Sequence, residues 1–178
     1  MIQESPYTSF IDLFSRRVEH TFTYLAQLPP EVWQKVPLDS PYMFLGTRVN
    51  SIQISSLIRH LVLAETHWFE QIHRLPHKSS IPFPNNRELL SQVTDGIELI
   101  TTYRKLHQHS MQTLSAMPKE ELKKVLCFAE RHYRVETLLW QILGHHSYHM
   151  GQVDILMRQL GFEPPEYMEW PQGTGDIA

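Results

Sequence analysis

One long amphipathic helix is predicted by the stretch Glu136-Thr-Leu-Leu-Trp-Gln-Ile-Leu-Gly-His145-His-Ser-Tyr-His149-Met-Gly-Gln152-Val-Asp-Ile-Leu-Met-Arg-Gln-Leu160. Its apolar residues recur at the three- and four-residue spacing of a helix face. Gly161 is a natural C-terminal stop, because glycine readily adopts the left-handed backbone that ends many helices. Pro164-Pro165 follows and cannot continue the helix.

Three further helical patterns precede this stretch. Capping residues and prolines set their limits: Ser5-Pro6 to Pro29-Pro30, Asn50 or Ser51 to Pro76, and Asn85 or Asn86 to Pro118. Residues 125–135 mix β-branched and aromatic side chains with charges, which indicates a short hairpin before the last helix. The last segment, 166–178, holds Tyr167 and Trp170 and is a candidate to pack back on the bundle. The expected fold is therefore all-α, a four-helix bundle formed by one domain over residues 1–178.

The composition argues against several classes of protein. The chain has 178 residues, 42% hydrophobic and 20% charged, which is ordinary for a folded globular domain. A formal net charge of -3 without any basic block argues against a nucleic-acid binder. No apolar run is long enough to span a bilayer, and residues 1–10 lack an apolar signal core. We therefore expect a cytoplasmic protein that binds neither nucleic acid nor membrane.

Cys127 is the only cysteine, so no internal disulfide is possible, and this fits a reducing compartment. It lies in the apolar run Val125-Leu-Cys-Phe-Ala129. We interpret it as a small buried hydrophobic residue rather than as a nucleophile.

His145 and His149 form the sharpest local feature among the 11 histidines of the chain. On a helix they differ by about 40° around the axis and by about 6 Å along it, so both imidazoles can reach one metal ion. Leu138 and Leu156 project near His145, which predicts that the pair faces the core. His146 lies about 100° away and is assigned to another face.

A third ligand is expected from the second helix, where His60 is the best candidate. Ala64 and His67 project to the same face as His60, and the small Ala64 would leave space beside a bound ion. Gln152, one turn after His149, is placed to hydrogen-bond a ligand imidazole or a metal-bound water. His67 and Trp68 are expected to line the pocket, with His67 a lining residue rather than a fourth ligand. Glu65 projects about 140° from His60, so no general base is evident.

The alternative is that these histidines are incidental, since a His-x-x-x-His pair alone carries little specificity. The remaining histidines show no convergent spacing and are interpreted as surface or individually satisfied residues: His20, His73, His77, His107, His109 and His132.

Two segments carry a family resemblance. One is the stretch from Thr137 to Gly161, with its Leu-rich turn, paired histidines, Gly151-Gln152 and the later Arg158-Gln-Leu-Gly. The other is Leu57-Ile-Arg-His60-Leu-Val-Leu-Ala64-Glu-Thr-His-Trp68. Both resemble the DinB family, within the DinB/YfiT-like superfamily. Met150 departs from the family pattern, which often has Arg directly after the last histidine.

The resemblance implies an up-down-down-up four-helix bundle, frequently a homodimer. It also implies one divalent metal ion, with zinc, nickel, iron and manganese all plausible, held by His60, His145 and His149. It constrains the reaction only loosely. Relatives include thiol S-transferases that act with bacillithiol or mycothiol, a thiol-dependent maleylpyruvate isomerase, and hydrolases.

Two functional hypotheses follow from the sequence. The first is a metal-dependent enzyme that acts on a small molecule, either as a thiol-dependent S-transferase with a low-molecular-weight thiol or as a hydrolase. The second is a non-enzymatic stress-response protein whose histidines form a structural or sensing metal site. Structural zinc sites are usually closed by four protein ligands, so three histidines favour the enzyme.

Overall fold

Four long helices make up most of the computed structural model, which describes residues 6–36 and 53–166. They are α1 (Pro6–Ala26), α2 (Ile54–Arg74), α3 (Ile97–Ser115) and α4 (Val135–Gln159). A two-stranded antiparallel sheet, β1 (Val125–Phe128) and β2 (Arg131–Arg134), stands directly before α4. None of the helices in these two ranges is long and apolar enough to cross a membrane.

The direction of α1 relative to α3 and α4 follows from its aromatic contacts. Phe14 lies against His107 and Phe22 against Tyr103, so α1 and α3 are antiparallel. Phe10 contacts Trp140 near the start of α4, whereas Thr21 lies farther along, opposite His146. Helices α1 and α4 are therefore parallel.

Helix α2 completes the bundle between α3 and α4. Arg59 near its start binds Asp95 just before α3, so these two helices run in the same direction. His60 contacts the ring of His149, whereas Trp68, two turns later, contacts His145, so α2 and α4 are antiparallel. The directions confirm the expected up-down-down-up bundle.

The core is built from the apolar stripes of all four helices. On α1 it is strongly aromatic, and Phe10, Phe14 and Phe22 are almost completely buried. Burying a side chain of this size stabilises the fold by roughly 1.5–3 kcal/mol relative to leaving it exposed. The same core includes Leu57, Leu61 and Ile72 of α2, Leu99 and Leu114 of α3, and Leu139, Ile142 and Val153 of α4.

Helices α1 and α4 have nearly the predicted limits, whereas the predicted start of α3 was wrong. The expected cap at Asn85 or Asn86 begins only a short 3-10 turn, Arg87–Leu90, and α3 starts at Ile97. The cause is Gly96, whose φ of +87° is incompatible with a continuing helix. The predicted caps Asn50 and Ser51, and residues 167–178 with Tyr167 and Trp170, lie outside the described residues.

The predicted hairpin is present, and a third segment extends it. Ala129 and Glu130 both have positive φ and form the two-residue turn between the strands. On the other side of β1, the Cys127 N–H donates to the Ser79 carbonyl, and the Ile81 N–H donates to the Cys127 carbonyl. The backbone of Cys127 is thus hydrogen-bonded to the segment 79–81. Its side chain is half-buried, rather than fully buried as expected.

Asp95 joins the start of α2 to the start of α3. Its carboxylate accepts hydrogen bonds from Gln34, from Ser55 and from Arg59, at distances of 2.7–2.9 Å. Burial alone would raise the pKa of Asp95, but these three hydrogen bonds and the charge of Arg59 hold that pKa below its usual value. Asp95 thus fixes a parallel helix pair that no short turn could connect.

Replacing Asp95 with alanine should lower the free energy of unfolding by about 2 kcal/mol at pH 7, because charge-assisted hydrogen bonds are lost. Since the pKa of Asp95 is lower in the folded state, its contribution is complete above the unfolded-state pKa, near 3.9, and is lost as the pH falls through the folded-state pKa. Urea denaturation should show that the difference in the free energy of unfolding between wild type and Asp95→Ala is smaller at pH 3 than at pH 7.

Asp12→Ala is the control, because Asp12 forms only an exposed pair with Arg16 on one helix face. It should change the stability by no more than about 0.5 kcal/mol. Equal effects of the two variants would contradict the role given to Asp95.

Candidate metal centre

Three imidazoles converge between α2 and α4. The Nε2 atom of His145 lies 3.1 Å from Nε2 of His60 and 3.1 Å from Nε2 of His149. All three ligand atoms lie within 4.8 Å of one another, and no other histidine, cysteine or carboxylate in the described ranges joins them. The structure therefore brings together the three predicted metal residues.

The spacing of these nitrogen atoms suits a metal ion. Two imidazole nitrogens bound to a tetrahedral zinc at about 2.05 Å lie about 3.3 Å apart, close to the distances seen here. Neutral imidazole is also an appropriate donor for divalent zinc, nickel and iron. The cluster is thus compatible with one divalent ion.

Gln152 sets the tautomer of His149. The sequence placed Gln152 one turn after His149, within reach of a hydrogen bond to a ligand imidazole. The Nδ1–H of His149 donates to Oε1 of Gln152 at 2.6 Å, so the lone pair of Nε2 points to the other two rings. Burial lowers the pKa of His149, partly offset by the hydrogen bond to Gln152. The ring is therefore neutral at pH 7, which is the form that binds a metal.

Trp68 and Ala64 also flank the cluster on α2. The Trp68 ring packs edge-on against the His145 ring, with 4.8 Å between centroids. Ala64 is buried one turn after His60. Beyond Trp68, the aromatic contacts continue to Phe128 and then to Phe83. An aromatic row therefore leads from His145 toward the surface.

His67 holds the segment that follows α2. Its Nε2 atom meets the carbonyl oxygen of Pro82 at 2.8 Å, so the ring holds the segment after α2. Asn86 holds the same segment from its other end by donating to the Leu63 carbonyl. His67 thus acts on the position of Phe83, and among the described residues it does not belong to the three-histidine cluster.

The buried face of α4 includes His146 as well as His149 of the predicted pair. His146 is 2% and His149 7% exposed, whereas His145 is half-buried. The reason is that Leu139, Ile142 and Val153 flank His146 around the helix and point to the bundle centre. The predicted pair therefore extends from the buried face of α4, at His149, to the edge of the core, at His145, where it faces His60 of α2.

Glu65 and His107 are both buried in the bundle. Glu65 does turn away from the cluster, but it is 3% exposed and binds His146 in the middle of the bundle. His107 is 6% exposed, so it is neither a surface residue nor, within the described ranges, hydrogen-bonded through Nε2. Burial lowers its pKa to about 4, so it is neutral at pH 7.

A signal for this buried polar group was present in the sequence. Glu65 lies within the apolar stripe Leu61, Trp68 and Ile72 at helical spacing. A carboxylate on such a stripe requires a hydrogen-bond donor from another element. The angle between Glu65 and His60 does not reveal this burial, because the face of α2 that carries His60 differs from the face that packs in the core.

The family of the chain follows from comparison with known sequences. The model of the DinB family matches residues 5–172, which is nearly the whole chain. The chain belongs to the DinB family. Among curated proteins, none is significantly similar in sequence to this DinB protein.

A solved structure supports the fold of this DinB chain independently. YfiT from Bacillus subtilis, described as a probable metal-dependent hydrolase with an unusual four-helix bundle topology, superposes with a TM-score of 0.65. The match covers 92% of this chain and 93% of YfiT at 12% sequence identity. At this identity the likeness establishes the shared bundle and nothing further.

The variant His67→Ala tests whether His67 anchors the segment after α2 or binds a metal ion. We expect faster amide hydrogen exchange at Ile81, together with a stability loss of about 1 kcal/mol, because the contact with Pro82 is removed. The metal content of the purified protein should not change. A strong loss of metal would show instead that His67 is a ligand.

Proposed function

We propose that this DinB protein is a metal-dependent enzyme that acts on a small molecule, with one divalent ion bound by His60, His145 and His149. The observation that carries the proposal is the convergence of three imidazoles, in which Nε2 of His145 lies 3.1 Å from Nε2 of each of the other two. The description of YfiT as a probable metal-dependent hydrolase supports the same class of activity. Zinc, nickel, iron and manganese are all candidate ions.

The number of ligands favours catalysis over structure. Structural zinc sites usually have four protein ligands, whereas catalytic sites have three and keep one position for water or substrate. Such an ion would acidify a thiol or water at that position and hold the resulting nucleophile. Gln152 contributes by fixing the His149 ring, and outer contacts of this kind typically affect metal affinity by about 10–100-fold.

The surroundings favour thiol transfer over hydrolysis. Among the described residues, no carboxylate belongs to the cluster, and Glu65 is engaged by His146 and Tyr103. Water activated for hydrolysis is commonly assisted by a carboxylate base, as in helical His-Glu-x-x-His zinc sites. A thiol is more acidic than water and needs no such base once coordinated. We therefore place S-transfer first and hydrolysis second.

The aromatic row suits an apolar substrate group. It runs from Trp68 to Phe128 and ends at Phe83, whose side chain is 60% exposed. An exposed ring on a segment anchored by His67 and Asn86 is preorganised for contact with a ligand. The electrophile in an S-transfer reaction would lie against these rings.

Loss of any of the three proposed ligands should remove the metal. We expect the natively purified protein to carry about one divalent ion per chain. His60→Ala, His145→Ala and His149→Ala should each lower this content strongly in elemental analysis, while circular dichroism shows an unchanged helix content.

His109→Ala is the matched control, because His109 is an exposed histidine on α3. It should retain the wild-type metal content. Retention of metal by all three ligand variants would contradict the proposed centre.

Added thiol should bind directly to the metal. Cobalt-substituted protein mixed with a small alkyl thiol is expected to gain a sulfur-to-cobalt absorption band, because soft thiolates bind such ions well. Neither the metal-free protein nor His149→Ala should show the band. An unchanged spectrum in fully cobalt-loaded protein would favour the alternative, a structural or sensing site in a stress-response protein.

A further inference from the structure

A second polar cluster lies in the centre of the bundle, and each helix contributes one side chain to it. The four-helix network, as we call it, comprises Thr21 of α1, Glu65 of α2, Tyr103 of α3 and His146 of α4. None of these residues is more than 3% exposed. Buried polar groups are costly unless they are paired, so their mutual contacts constrain all four helices.

The hydrogen atoms of the network can be assigned from its distances. The Tyr103 hydroxyl donates to Oε2 of Glu65 at 2.6 Å. Burial, reinforced by the Glu65 carboxylate, raises the pKa of Tyr103 well above its usual value, so the phenol keeps this hydrogen. Because this hydrogen points to Glu65, the Tyr103 hydroxyl does not donate it to His146, whose Nδ1 lies 3.3 Å from the hydroxyl oxygen.

His146 therefore carries its own hydrogen on Nδ1 and donates it to Oε1 of Glu65 at 2.9 Å. Its other nitrogen, Nε2, meets the Thr21 hydroxyl at 3.1 Å. Glu65 thus accepts a hydrogen bond on each oxygen, one from α3 and one from α4. This carboxylate is the centre of the network.

The network shares two helices with the metal centre. His146 directly follows His145 and comes three residues before His149, at the same level of α4. On a helix, His145 lies about 100° and His149 about 60° from His146, both in the same rotational direction. Once His146 is fixed toward the bundle centre, both ligand rings must therefore turn to one side, where His60 of α2 lies.

We propose that Glu65 is a positioning residue for the three-histidine cluster. By holding His146 from α2, it sets the rotation and height of α4 at which His145 and His149 meet His60. The inference rests on the proposed metal function and identifies what places its ligands. Metal–ligand distances tolerate only about 0.2 Å, whereas a one-residue slip of a helix moves it by about 1.5 Å.

Glu65→Gln in the full-length protein tests this role, because it keeps the shape of the side chain but removes the charge and one acceptor. We expect metal affinity, measured with a chromophoric chelator as competitor, to fall about tenfold. The cobalt spectrum should change as well, because the ligand geometry changes. Tyr103→Phe and Thr21→Val, which touch no ligand, should act in the same direction with smaller effects.

Leu114→Ala is the control for general destabilisation, because Leu114 is a buried residue of α3 outside the network. It should unfold more easily than wild type yet bind metal with unchanged affinity and spectrum. The proposal is wrong if Glu65→Gln binds metal like wild type, or if Leu114→Ala weakens binding equally. If Glu65→Gln does not fold, the metal affinity and the cobalt spectrum of Tyr103→Phe test the proposal instead.

A metal-free measurement keeps this inference separate from the proposed function. Long-range ¹H–¹⁵N NMR spectra report the ring environments of His145 and His149 in the apo protein. We expect these signals to shift in Glu65→Gln and not in Leu114→Ala; unchanged signals would overturn the positioning role. A wild-type protein that binds no metal would refute the metal centre alone.

Discussion

The buried carboxylate of Glu65 constrains the rest of the bundle. A charged or strongly polar group in an apolar core is tolerated only when its hydrogen-bonding atoms are matched, and removing one partner usually costs more than the contact itself contributes. Here the partners come from two other helices, and His146 extends the requirement to Thr21 on the fourth. Apolar packing alone specifies helix rotation weakly, whereas the polar atoms of this network are matched only when their partners on the other helices lie opposite them.

The parallel pair of α2 and α3 adds a second constraint at the end of the bundle. A short turn joins only antiparallel neighbours, so the chain must return along the length of α2 before α3 begins. The returning segment pairs with β1, is held by His67 and Asn86, and ends at Asp95. The connection that the topology requires is thereby also the element that carries Phe83, at the outer end of the aromatic row that begins at His145.

Much of the fold and the three histidines of the cluster could be predicted from the sequence, because the relevant signals are local. The spacing of His145 and His149, the stop at Gly161 and the apolar periodicities depend on residues within a few turns of one another. The start of α3 could not be read in this way, since it depends on Gly96 taking a positive φ while Asp95 is held from α2. The roles of Glu65 and His146 were hidden for the same reason, because each partner lies on a different helix.

The separation of two adjacent histidines would allow one helix to serve both stability and the proposed chemistry. A cluster at the bundle centre would be shielded from any substrate, while one on the open surface would be held too loosely to bind a metal ion. Helix geometry puts about 100° between neighbouring residues, so His146 can point to the core while His145 reaches its edge. The half-buried position of His145 then combines a firm attachment with access for a small molecule. Rigid support behind an accessible ligand set is the arrangement that a catalytic metal requires.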